Sequence, residues 1–315
     1  PLPVRFLPLL AVWAAGLMAA EGVAVPVAPE TPFTWTGFIA AGAILFSSFI
    51  GFDSIAQAGG EAKNPSRNLP LAIGIAVLTV GSFYMLFTAA VYHTVPWSFV
   101  AERAQAQDLT APGLLGYVLS PTWTVLIVAG ASVALINDLP AMLLAVSRLM
   151  FAWAEDGVFP RGVAAVHPIW HTPHVALVLS GVMASIAILG SHLAGDFFLG
   201  VDILVTSMLV NFMLMCVTVI TLPGHNPEIA KDVTVLPNRS LQVPLAGAGF
   251  VLLGVFLVVH IMKDLNADVE AWYFHSTVLW VGVMALASVI YFKELATLKK
   301  NGVDTDAHFL ALPPE

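Results

Sequence analysis

Charge is the first thing this sequence lacks. Only 10% of its 315 residues are Asp, Glu, Lys or Arg, against about a quarter in a soluble domain. So few charges cannot solvate a water-facing surface, which excludes an ordinary soluble enzyme. Basic runs are missing too. Lys and Arg number 12 against 20 Asp and Glu, a net charge of −8, and no cluster is able to grip a phosphate backbone, so no nucleic-acid partner is expected. A single cysteine, Cys216, allows no internal disulfide and no cysteine-cluster metal site. There is no Walker-type glycine loop to hold a nucleotide, and no serine–histidine or paired-carboxylate arrangement to act as a nucleophile. His167, His171 and His174 are interrupted by Pro168 and Pro173 and share no helix face, so neither a metal nor a cofactor is expected. No cleavable signal peptide is recognisable, and a chain beginning at Pro1 reads as incomplete or processed.

What the sequence has is apolar length. Hydrophobic residues make up 58% of it, and its mean hydropathy is +0.88. A membrane helix needs about 20 predominantly apolar residues. Eight stretches approach that, near Phe6–Ala20, Trp35–Ala58, Leu69–Val91, Trp123–Val146, Val175–His192, Phe197–Leu222, Leu245–Met262 and Trp272–Phe292. The first is short and contains Pro8. Between them, Pro-, Asn- and Gly-bearing segments such as Lys63–Pro70 and Pro223–Pro244 read as loops. Ten-residue alternating strands of the kind a membrane barrel needs are absent. Backbone amides must pair within the hydrocarbon, so the expected fold is an all-α polytopic membrane protein with eight transmembrane helices.

Lys and Arg set the expected orientation. With eight spans, Arg5, Lys63, Arg67, Arg148, Arg161, Lys231, Arg239, Lys293, Lys299 and Lys300 fall on one side, and only Arg103 and Lys263 on the other. The positive-inside rule then places both termini in the cytoplasm.

Polar groups at membrane depth mark function, because each is costly unless it meets a partner or a water-filled cavity. Two places qualify. In the second span, Ser47-Ser48-Phe49-Ile50-Gly51-Phe52-Asp53-Ser54 lies inside an apolar run. Gly51 eases a backbone break, and Asp53 or Ser54 can cap a helix that restarts beyond it. Two readings stand: a broken helix whose free ends hold a zwitterion or an ion, or an unbroken helix whose Asp53 meets a neighbour. In the fourth span, Asn137 and Asp138 precede Pro140, which frees a carbonyl in the preceding turn. They line a pathway or clamp neighbouring helices. Asp202 enters the sixth span near its end, a hydrated position.

The run Phe46–Ile73, FSSFIGFDSIAQAGGEAKNPSRNLPLAI, closely resembles the sixth helix and following cytoplasmic loop of amino acid permeases of the amino acid–polyamine–organocation superfamily. Phe49, Gly51, Phe52, Asp53, Glu61, Lys63, Asn64, Pro65, Arg67 and Pro70 match; the family often has two adjacent acids, where this chain has Gly60 and Glu61. Ser147-Arg148, Asp156-Gly157, Pro160 and Thr172-Pro173 resemble the end of the eighth helix and its loop; Asn137 fits that helix and Asp138 departs from it.

The resemblance implies a secondary transporter of amino acids or related amines, working by alternating access in the plasma membrane, with H+ or Na+ coupling or substrate exchange. It implies that the eight spans are family helices five to twelve. Residues 35–222 would form the second five-helix inverted repeat, 6–20 the last helix of the first, and 245–292 two accessory helices. Family helices one to four would lie outside this sequence. Substrate contacts are expected at Ser48, Phe49, Ile50, Gly51, Phe52, Asp53 and Asn137, with coupling or gating at Arg5, Asp138, Glu61 and Lys63. Arg5 matches the position of a helix-five lysine of some proton-coupled permeases, or anchors its span at the cytoplasmic side. The rival reading is a truncated, non-transporting scaffold or half of a split transporter.

Overall fold

The computed structural model describes residues 34–52, 56, 62–94, 100, 121–196, 199–231, 235–236 and 238–310. Among the described residues there is no strand. The helices are α1 (Trp35–Phe46), α2 (Pro65–Thr94), α3 (Pro121–Glu155), α4 (His174–Leu193), α5 (Leu199–His225), α6 (Pro227–Lys231), α7 (Arg239–Leu265), α8 (Ser276–Lys300) and α9 (Thr305–Leu310). Six of them (α2, α3, α4, α5, α7 and α8) are long and apolar enough to cross a membrane. Leu78, Met85, Leu135 and Ile188 are each more than 70% exposed, which suits hydrocarbon and not water. The chain is a polytopic all-α membrane protein. The expected first span and Arg5 lie outside the described residues. The expected second span is not one helix of full length, since α1 stops at Phe46.

The proline-rich boundaries differ from the sequence expectation. Lys63–Pro70 and Pro223–Pro244 read as loops, yet Pro70, Pro223 and Pro244 all lie inside helices. Pro70 and Pro244 sit close to the start of their helices. A proline there sacrifices one backbone bond while its φ already suits the helix. Pro223 sits near the end of α5, and the loss is made good from outside. Its missing amide would have bonded the Val219 carbonyl four residues back. Instead the guanidinium of Arg239, at the start of α7, donates from Nη1 to the Val219 carbonyl at 2.7 Å and from Nη2 to that of Ile220. Gln242 Oε1 accepts a further bond from Nη1 at 3.0 Å.

The chain divides into two compact units, Pro1–Pro32 with Ile75–Met142 and Phe33–Gly74 with Leu143–Glu315. In the second, α5 is the central helix, with Leu199, Val205, Thr206 and Leu209 buried. Glycines on α7 let it lie close to α5: a Cβ on Gly249 would stand 3.4 Å from Cys216 Sγ, and one on Gly254 3.6 Å from Met213 Cε. Small residues at such crossings replace the hydrophobic drive that lipid cannot provide. Trp280 of α8 donates from Nε1 to Ser207 Oγ at 2.9 Å. On α1, a Cβ at Gly42 would lie 3.3 Å from the ring of Phe256 in α7.

Two further ties fix the ends of this unit. Asp264, near the end of α7, accepts the Ser276 amide at 2.9 Å and the Thr277 amide at 2.8 Å. These are first-turn donors of α8 that no carbonyl within the helix can reach. Leu298, near the end of α8, is buried against Gly157 in the turn after α3; a Cβ there would come 3.0 Å from Leu298 Cδ2. The φ of Gly157 is +75°, a left-handed conformation that favours glycine. His308 of α9 donates from Nε2 to the Asp156 carbonyl at 3.1 Å.

Candidate functional site

The Ser-Ser-Phe-Ile-Gly-Phe stretch is where the helix gives way. After Phe46 the backbone tightens into a 3₁₀ turn, Ser47–Phe49. Ile50 follows in an extended conformation (φ −63°, ψ 136°), its amide bonded to the Ser47 carbonyl at 3.2 Å. Gly51 then takes φ +123°, which a side chain would strain. The helical path is left between Phe46 and Gly51, within the stretch that the glycine and the polar residues mark. Phe52 stacks on Phe212 of α5, ring centroids 5.4 Å apart at 15°, and Phe46 meets the same ring edge-on at 5.9 Å. Phe212 thus holds aromatic rings from both sides of the turn.

At about 1.5 Å per residue, the 12 residues of α1 reach roughly 18 Å, well short of the ~30 Å hydrocarbon layer. Irregular backbone at membrane depth is tolerated only where it is buried in protein or lines a cavity. Ser47 borders one. The cavity has a volume of about 460 Å³, and its walls include Asp202 and Val205 of α5, His260 and Lys263 of α7, and Phe274 before α8. This lies within the size range of small-molecule sites, roughly 300–1,000 Å³.

His260 is buried and its Nε2 stands 3.2 Å from the Asp202 carbonyl. A carbonyl only accepts, so the imidazole donates. Thr206 Oγ1 donates to that same carbonyl at 3.0 Å. Asp202 lies in the first turn of α5, at the span's end as expected, and is half-buried. Asp264 also lines the cavity, but both of its oxygens serve the α8 amides.

The remaining sequence candidates divide. Ser48, Phe49, Ile50, Gly51 and Phe52 form one continuous turn. Asp53 and Glu61 lie outside the described residues, as does Arg5. Lys63 precedes α2, and its carbonyl accepts from Asn68 Nδ2 at 2.5 Å. Asn64, with φ +50°, accepts the Arg67 and Asn68 amides on its carbonyl at 3.1 and 3.0 Å, and Pro65 opens the helix. The KNPSRN run is therefore a helix-start device. Asn137 and Asp138 belong to the other unit, within α3, which continues through Pro140; Asp138 is exposed. The sequence pattern passed over Lys263 and His260, whose only local signal was a polar end on an apolar run.

The family model for "Amino acid permease" matches residues 3–286. This chain belongs to the amino acid permease family. Among the relatives, the branched-chain amino acid permease BcaP of Bacillus subtilis (strain 168) is 29% identical over 239 residues, 73% of this chain and 50% of that protein. The methylthioribose transporter of the same organism is 27% identical over 282 residues, 86% of this chain and 54% of its own length. The low-affinity putrescine importer PlaP of Escherichia coli (strain K12) is 29% identical over 204 residues, 62% and 42% of the two chains. The permease chain described here thus spans about half of these relatives' length.

Proposed function

We propose that this permease chain carries half of a substrate site for secondary active transport of amino acids or related amines. The observation that supports it most is the helix left at Phe46, followed by extended Ile50 and Gly51 at φ +123°, beside a cavity that Ser47 lines. A helix that stops inside the membrane presents carbonyls at its end. Each carbonyl oxygen has two lone pairs, so it can accept from a substrate ammonium while keeping an internal bond. Ser48, Phe49, Ile50, Gly51, Phe52 and Asp53 form this half-site in the proposal, with Phe49 or Phe52 closing over the ligand; Asn137, in the other unit, is proposed separately as a substrate contact.

The wider architecture belongs to the same proposal. Eight spans cross the plasma membrane with both termini of the segment cytoplasmic, as ten basic residues against two favour. Residues 35–222 form the second inverted repeat, 6–20 end the first, and preceding helices of the full chain complete the site. Alternating access rocks the broken helix against fixed neighbours, driven by an H+ or Na+ gradient or by exchange, with Arg5, Asp138, Glu61 and Lys63 at gating or coupling positions. No covalent step is needed.

Uptake into proteoliposomes tests this. The 315-residue chain and a version extended upstream through the first family helix are compared with a mixture of radiolabelled amino acids. Uptake by the extended version is the expected result. A folded extended version that moves no amino acid or amine overturns the proposal.

A further inference from the structure

The cavity beside Ser47 is lined by an acid and a base that are not in salt-bridge contact with each other. Asp202 and Lys263 both line it, yet they form no ion pair of 4.0 Å or less with one another or with any other described residue. The other polar groups of the wall are occupied. Asp264 is bonded to two amides of α8 and lies 4.0 Å from His275 Nδ1. His260 donates to the Asp202 main chain. Asp196 has a partner of its own. Asp202, half-buried, and Lys263, exposed, border the same space, with Val201, Val205, Val269 and Phe274 around them.

Opposite charges that border one partly apolar cavity without pairing are complementary to a ligand that carries both charges. An ammonium satisfies the carboxylate, and a carboxylate satisfies the lysine, which is a point charge with three donors. We propose that this cavity is a binding subsite for α-amino acids as zwitterions, with the ligand ammonium on Asp202, its carboxylate on Lys263 and its side chain against Val205 and Phe274. The subsite deepens the transport reading and rests on it for its role, as a position occupied on the way to or from the helix break. It also separates substrate classes for this chain. A diamine such as putrescine leaves Lys263 facing a second cation and is disfavoured, because like charges in a cavity repel.

The test measures equilibrium binding to the purified 315-residue chain and its extended version in lipid nanodiscs. Four probes are used: L-leucine, leucinamide (no carboxylate), 4-methylpentanoate (no ammonium) and putrescine. Leucine alone should bind well. Asp202→Asn and Lys263→Gln should each weaken leucine at least tenfold, and Lys263→Gln should also erase the preference for leucine over leucinamide. Neither side chain holds another described residue in an ion pair, so both variants should elute and melt like the parent. Exchanging the charges, Asp202→Lys with Lys263→Asp, should recover leucine binding in the reversed orientation. Unchanged leucine affinity in both single variants overturns the subsite, as does failure of the parent chains to bind leucine or an unaltered leucine-to-leucinamide ratio in Lys263→Gln. Binding that follows the charges while the extended version transports nothing overturns the transport reading and leaves the subsite standing.

Discussion

The guanidinium of Arg239 donates to the carbonyl of Val219, the one acceptor in α5 that Pro223 deprives of its amide. The proline and the arginine are 16 positions apart in sequence and form one structural unit. A proline in a membrane helix is tolerated when neighbouring groups satisfy what it frees, and here the neighbour is a charged fork reaching back from the next long helix. The second arm takes the Ile220 carbonyl, so the repair of the α5 end comes from α7.

Removing the fork should therefore cost more than removing the proline. Arg239→Ala leaves the Val219 carbonyl without a donor and takes one donor from that of Ile220, at about 0.5–1.5 kcal/mol for each hydrogen bond lost, and should lower the unfolding midpoint in detergent. Pro223→Ala restores the amide. The double variant should be less destabilised than Arg239→Ala alone, and a double-mutant cycle measures that coupling directly. Strict additivity would show that the two residues act independently.

Gly51 is expected to be intolerant for a conformational reason. At φ +123° any side chain meets backbone strain of order 1–3 kcal/mol. Gly51→Leu in the extended version should abolish amino acid uptake while leaving the protein folded, since it alters the turn and fills space beside it. Normal uptake by that variant would remove the turn from the transport mechanism.

Gly157 gives a prediction at the opposite end of the unit. Its φ of +75° and the 3.0 Å approach to Leu298 penalise Gly157→Ala twice. Leu298→Ala relieves the collision but removes a buried side chain, at about 2–5 kcal/mol, so the pair should cost less than the two single variants added together. Strict additivity would show that the dihedral strain alone matters.

Asp264→Ala should loosen the first turn of α8, because it removes acceptors for the Ser276 and Thr277 amides. Caps of this type are worth about 0.5–2 kcal/mol. Hydrogen exchange should rise at those two amides first, and Asp264→Asn should be intermediate. Protection unchanged in the alanine variant would contradict the capping role.

Much of this architecture could be read from one dimension. Hydropathic length located α2, α3, α4, α5, α7 and α8, because helices in lipid must be long and apolar whatever their neighbours. Gly51 among polar residues marked the place of the departure from helix for a local reason, one of the two readings the sequence left open. The prolines misled near helix ends: Pro70 and Pro244 sit in the second turn of their helices, where a single lost backbone bond is tolerated, and Pro223 is repaired by a residue that no local window connects to it. The cavity was illegible for the same cause. Asp202 and Lys263 are separated by a full helical hairpin, and only the packing of α7 on α5 brings them to one space. Asp138, conspicuous in sequence, lies exposed within a continuous helix, so an acid's membrane depth alone did not reveal what it meets.

The carboxylate of Asp264 belongs to one helix and completes the next. Until the first residues of α8 have emerged and turned back, that charge has no amides to receive it, and the amides have no acceptor. Biosynthesis should therefore hold α7 near the translocon until α8 arrives, and the two should enter the bilayer as a hairpin. A nascent chain halted before Ser276 would expose this dependence as incomplete integration of α7, at a point in the protein's life when no substrate is involved.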